Sequence, residues 1–258
     1  SRRAHEHLEA AGHLDASSAF LQTRLARARV AAGETKKALE AAKAGVNLDP
    51  TDQEARRLLA GLYGAAGKVA QAAREYRKLL ELQPDDARNL LYLGVIQLGR
   101  GEYRQAREYL ERYVQRNPES HLGHYYFGRV LVETGKLSGA EKSYVAALNL
   151  HPSAVPTLTE LALVRELRGM SSAALETYKE ILKVDPRHDG AARRLQAIRS
   201  GQRDLSGARA EFDRLGSREV WLGAIRMKAG LIHYELGSLE LSLIHISEPT
   251  RRSAISDA

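Results

Sequence analysis

The chain has 258 residues, no cysteine and a formal net charge of +7 at a sequence pI of about 9.6. The missing cysteines exclude a disulfide framework, a thiol nucleophile and any cysteine-ligated zinc or iron–sulfur site. A hydrophobic fraction of 43%, with three Phe and one Trp, predicts an aliphatic and Tyr-based core. No run of about 18 apolar residues spans a membrane.

In chain order, residues 1–18 read as the second helix of a repeat that began earlier, with Ala4, Leu8 and Ala11 on one face. From residue 19 a period of 34 takes hold. Pro50, Pro84, Pro118, Pro152 and Pro186 keep it, as do Gly33, Gly67, Gly101, Gly135 and Gly169. So do Ala38, Ala72, Ala106, Ala140, Ala174 and Ala208. A fixed period of this length marks a stacked-repeat architecture. Complete repeats fall at 19–52, 53–86, 87–120, 121–154, 155–188 and 189–222.

Each repeat reads as helix, turn, helix, turn. In 87–120, Leu90, Leu93, Gly94, Ile96 and Gln97 make one periodic stretch. Gly101 closes it, because glycine adopts the left-handed conformation cheaply. A second helix from about Arg104 places Ala106, Leu110 and Tyr113 on one face, and Pro118 stops it, since proline cannot continue the ladder. Ala26, Ala60, Gly94, Gly128 and Ala162, at repeat position 8, are small where two helices cross closely.

The pattern fades toward the end. In 189–222, Arg203 stands where the turn glycine is expected and Val220 where the proline is, although Ala208 and Phe212 keep the frame. A seventh repeat opens with the first helix at 223–240, holding Gly223, Gly230 and Gly237. Beyond Glu240 the frame fails, and Pro249 would sit in mid-helix at a cost of about 3 kcal/mol. Residues Leu241 to Arg251 resemble a translated sequencing adapter, so 241–258 is expected to be a non-native tail, with the gene truncated at both ends. Neither end shows the polar cap that a stacked array needs.

The residues Leu59-Ala60-x-x-Tyr63, Ala72, Tyr76 and Pro84, and again Phe127-Gly128, Ala140, Tyr144, Ala147 and Pro152, resemble the tetratricopeptide repeat family. The resemblance covers residues 1–240. It implies an all-α fold, a right-handed superhelical solenoid of antiparallel helix pairs whose concave face binds protein segments. It implies no particular activity. In that architecture repeat positions 2, 5, 9 and 12 of the first helix line the concave face. Among them Arg27, Arg57, Arg88, Leu91, Val95, Tyr125, Arg129 and Leu163 are the expected partner-binding residues. Arginine forks pair with carboxylates while Leu and Tyr anchor apolar groups. The expected partner is therefore an extended or helical segment carrying acidic and hydrophobic residues.

No phosphate loop, nucleophile elbow or HExxH signature is present, so no catalytic, cofactor or metal residues are expected. His121 and His124 could share a helix face only as a pair. Lys at position 5 followed by Asn at position 9, which family members that clamp acidic chaperone termini carry, is absent from every repeat. Basic residues alternate with Glu75, Glu81, Glu102, Glu108 and Glu111, which argues against a dedicated nucleic-acid surface. The leading expectation is a non-enzymatic scaffold in a bacterial multiprotein assembly. The alternative is a targeting module of a larger enzyme whose catalytic domain lies outside these residues. Cytoplasm and periplasm fit the composition equally.

Overall fold

A computed structural model describes residues 18–201, 204–211 and 213, which divide into two compact units at Pro84/Asp85. The first unit holds α1 (Ala19–Ala31), α2 (Thr35–Leu48), α3 (Gln53–Ala65) and α4 (Val69–Leu82). The second holds α5 (Ala87–Gly99), α6 (Tyr103–Arg116), α7 (His121–Glu133), α8 (Leu137–Leu150), α9 (Val155–Leu167), α10 (Ser171–Val184) and α11 (Asp189–Arg199). Residues 205–211 are also helical. All the regular structure among the described residues is helix. The fold is the expected all-α array of antiparallel helix pairs, and within each unit every helix packs on the next.

Local chemistry explains why the elements start and stop where they do. The first helix of most repeats begins behind a side-chain cap. Ser18 accepts from the Leu21 amide, Asp52 from those of Glu54 and Ala55, Asp86 from Asn89 and Ser120 from Gly123. Each cap satisfies an amide that has no partner inside the helix. The glycine comb then turns the chain, with φ between 69° and 76° from Gly33 to Gly169. The second helix ends at the residue before each proline, where Asp49, Gln83, Asn117, His151 and Asp185 leave the helical region. A proline ring disfavours helix in its predecessor, so these ends are written by Pro50, Pro84, Pro118, Pro152 and Pro186.

The position-8 residues pack as read. A Cβ on Gly128 would lie 2.6 Å from the Tyr144 ring, and one on Gly94 would lie 2.7 Å from Leu110 Cγ. Ala26 and Ala60 are fully or nearly fully buried in the first unit, whose core is built of Leu25, Ala26, Ala38, Ala41, Ala42, Val46, Ala55, Leu58, Leu59 and Leu62.

The repeat at 189–222 departs from its siblings. Its first helix, α11, has 11 residues where the others have 13, and Gly201 takes φ +77°, two residues ahead of the comb. The turn glycine expected at 203 is thus supplied at 201. Helix resumes at 205, the usual position for a second helix. The reading of residues 1–17, of Arg203, Phe212 and Val220, of the 223–240 helix and of the 241–258 tail lies outside the described residues. No helix among the described residues is long and apolar enough to cross a membrane.

Candidate functional site

In the first unit, α1 and α3 carry the expected arginines. Arg27 reaches Glu54 of α3 at 2.5 Å, with both side chains partly in water. Arg57 is half-buried on α3. Phe20, at repeat position 2, is 61% exposed, and the Arg24 guanidinium sits 5.1 Å from its ring centroid. An apolar ring, a stacked cation and a carboxylate-paired arginine therefore share one helix and its neighbour. That combination offers both an apolar anchor and a charge-assisted hydrogen bond.

The second unit is different. Arg88 is exposed at the start of α5, but Leu91 and Val95 on the same helix are buried. Tyr125 and Arg129 on α7 and Leu163 on α9 are buried too. These five were expected on an open face, and in the free chain they are not open. Arg129 is the clearest departure, at 2% exposed. Its guanidinium bonds the Glu160 carboxylate of α9, itself 1% exposed. Tyr125 Oη donates to Glu160 Oε1 at 3.1 Å, and Tyr144 Oη of α8 donates to Oε2 at 2.5 Å. Both carboxylate oxygens are thereby engaged, which is what makes a buried acid tolerable.

The electrostatics agree with that geometry. Burial opposes the charge on Arg129, yet the Glu160 carboxylate and the flanking tyrosines outweigh it and hold the guanidinium firmly protonated. Burial, with Glu160 beside it, pushes the Tyr144 phenol well above its ordinary range. A second cluster repeats the design. Glu166 of α9 accepts from Tyr178 Oη at 2.6 Å and from Arg194 Nε at 3.0 Å. The hydrogen bonds that Arg194 donates to Glu166 keep its charge in place, and burial raises the Tyr178 phenol. These perturbed groups are each explained by an internal partner, so the clusters act as glue between helices.

Of the expected residues, the structure brings together Tyr125 and Arg129. It leaves Arg88 in water at one end of the second unit and pairs Arg27 with Glu54. Residues the sequence reading missed are Glu160 and Tyr144 with Arg129, and Arg56, which pairs with Glu75 at 2.6 Å inside the first unit. What stays open is repeat position 2: Phe20, Glu54, Arg88, Leu122 and Pro156 are all exposed. His121 and His151 place their rings 5.4 Å apart, and no group of three or more metal-ligating side chains occurs among the described residues.

Comparison with known proteins follows this geometry. A tetratricopeptide repeat model matches residues 23–87, 62–121 and 91–157, overlapping stretches that take in more than half of the chain. The crystal structure of YrrB, described as a TPR protein with an unusual peptide-binding site, superposes with a TM-score of 0.66 at 19% identity, over 72% of this chain and 96% of that one. MamA is similar at a TM-score of 0.62 and 20% identity, over 67% of this chain and 94% of that one. A MamA from Desulfovibrio magneticus RS-1, spanning residue 41 to its end, gives 0.62 and 19%, over 66% and 97%. At such identities the likeness is one of fold. No curated protein matches the chain. The 34-residue combs, the capped helix pairs and the family match agree: this chain belongs to the tetratricopeptide repeat family.

Proposed function

We propose that the chain is a non-catalytic scaffold that takes partner segments along the first helices of its repeats, within a bacterial multiprotein assembly. The observation that carries this reading is the exposed row at repeat position 2 together with the first unit's arginines. Phe20 offers an exposed aromatic ring beside Arg24, with Arg27 on the same helix and Arg57 on α3 of the same unit. Arg88 and Leu122 repeat the pairing of cation and apolar group in the second unit. The peptide-binding site ascribed to YrrB is consistent with it. The partner chemistry that fits is a segment with carboxylates for the arginines and large apolar side chains for Phe20 and Leu122.

The test is a titration of the full chain with labelled peptides alternating Glu with Leu or Phe. The triple variant R27E, R57E and R88E is expected to weaken binding about 10-fold or more, since rim charges set both encounter and register. Helicity should stay unchanged, because all three side chains are at least partly exposed. Equal affinity of the triple variant and the parent chain would refute the reading. Arg129 is left out of the test, since reversing a buried, paired charge would unfold its surroundings.

A further inference from the structure

In a stacked array each repeat touches only its neighbours. One contact inside the second unit breaks that rule. Arg209, in the helical residues 205–211 of the sixth repeat, donates to Glu133 Oε2 at 2.8 Å. Glu133 is the last residue of α7, in the fourth repeat, one helical turn beyond Arg129. Arg209 also pairs with Asp213 at 2.8 Å. Tyr103, which opens α6 in the third repeat, lies in the same neighbourhood. Its phenol is raised first by burial and then by the Glu133 charge, with Asp213 adding to the rise and Arg209 and Arg129 opposing it. Within 204–211, Arg209 therefore reaches the end of α7 and the start of α6, two and three repeats back. The shortened α11 and the early turn at Gly201 are where the chain leaves the repeat geometry.

The segment is held mainly by charge. Of residues 204–211, Ala208 is buried, whereas Leu205 is 50% exposed and Asp204, Ser206 and Ala210 face water. Asp204 accepts from the Gly207 amide at 2.8 Å and pairs with Arg194 at 3.1 Å. Among its described residues this helix fully buries only the Ala208 methyl, and partly exposed ion pairs are weak and screened by salt. Glu133, by contrast, is only 13% exposed at its side chain and needs a cation.

We propose that residues 204–211, through Arg209, are a built-in occupant of the α7 edge at Glu133, and that the partner segment which displaces them is a short helix presenting an arginine to that carboxylate. This deepens the scaffold reading and rests on it for the existence of a partner. It adds a basic contact to the acidic and apolar ones. Glu133 takes the guanidinium, and the segment's own Asp213, four residues after Arg209, shows that an acid one turn further along is tolerated.

The experiment uses the full chain and a labelled peptide copying residues 204–213. The R209E chain is expected to bind the peptide about 10-fold more tightly than the parent, because its own segment no longer competes. The same peptide with glutamate in place of its arginine should not bind, and the E133R chain should not bind the parent peptide. Equal binding by parent and R209E chains, or binding by neither, overturns the proposal. A measurement without variants stands beside it. On raising salt from about 0.05 M to about 0.5 M, amide exchange in 205–211 should accelerate about 10-fold while α9 and α10 hold. Salt-insensitive protection equal to that of α10 overturns the proposal as well. Neither readout uses the acidic peptides of the scaffold test, so the two readings fail separately.

Discussion

The two units obey one 34-residue frame and fill it differently. In the first, repeat position 8 is Ala26 or Ala60 and the described core is aliphatic apart from Tyr76, with the buried pair Arg56–Glu75. In the second, position 8 falls to Gly94 and Gly128, and larger side chains move in, with the Tyr144 ring lying over Gly128. The Tyr144 hydroxyl needs an acceptor and finds it in Glu160, and Tyr178, in the repeat whose position 8 is Ala162, finds one in Glu166. The acids in turn need Arg129 and Arg194. A buried tyrosine at a helix crossing is thus matched by a buried acid and its cation. It also draws into the interior an arginine that the same repeat position leaves nearer the surface at Arg27.

The sharpest way to break the comparison is to remove an acid from each unit. Glu160→Ala strands a guanidinium that is 2% exposed and two phenols, and is expected to destabilise the second unit by about 3–5 kcal/mol. Glu75→Ala should cost less, since Arg56 keeps the Pro50 carbonyl and the loss of Glu75 strands one cation rather than a network. Urea unfolding, with amide exchange resolving α7–α9 from α1–α4, checks both. Comparable losses in the two units would show that the tyrosine network adds nothing beyond an ordinary buried pair.

Glycine substitutions sharpen the same contrast with opposite signs. Gly128→Ala places a methyl into the Tyr144 ring, which is fully buried and cannot swing clear, so a loss of about 1–3 kcal/mol is expected. Gly61→Ala, on α3 of the first unit, meets nothing within 4 Å among the described residues. Replacing an interior helical glycine there should gain up to about 1 kcal/mol. Thermal midpoints moving in opposite directions are the expected outcome, and a gain at Gly128 would remove the packing argument.

How much of this was legible follows from what a linear pattern can encode. Turns and helix ends were, because Gly33 to Gly169 and Pro50 to Pro186 act through their own backbone. Position-8 packing was, because small residues recur in register. The burial of Arg129 was not. Its repeat position is the same as that of Arg27, and only the approach of α9, carrying Glu160, distinguishes them. A signal did exist: Glu160 stands in the run Leu158-Thr-Glu-Leu-Ala-Leu163, an acid among apolar residues that had to find a cation. Gly201 was equally readable, since Ser200–Gly201 is itself a turn signal, but the strict comb pointed two residues further on. The Arg209–Glu133 contact spans 76 residues. No neighbour-by-neighbour reading of repeats reaches it.

The smallest expected effect is one of pH and again separates the units. Residues 18–84 contain no histidine, whereas the second unit places His121 at the start of α7 against His151. Burial lowers the His121 pKa, and the neighbouring His151 lowers it further. The position at a helix N-terminus works in the same direction, since the dipole disfavours a cation there. A histidine whose folded pKa is depressed stabilises the fold while it is neutral. Its contribution is present above the unfolded value of about 6.5 and is lost as pH falls through the folded value. Between neutral and mildly acidic pH α7 and α8 should therefore soften while residues 18–84 do not. His121→Gln should flatten that part of the profile without moving the midpoint at neutral pH by as much as Gly61→Ala does. Amide exchange in α7 and α8 followed from pH 7 to about pH 5 reads it directly. A slope that survives His121→Gln would refute the assignment of the softening to His121.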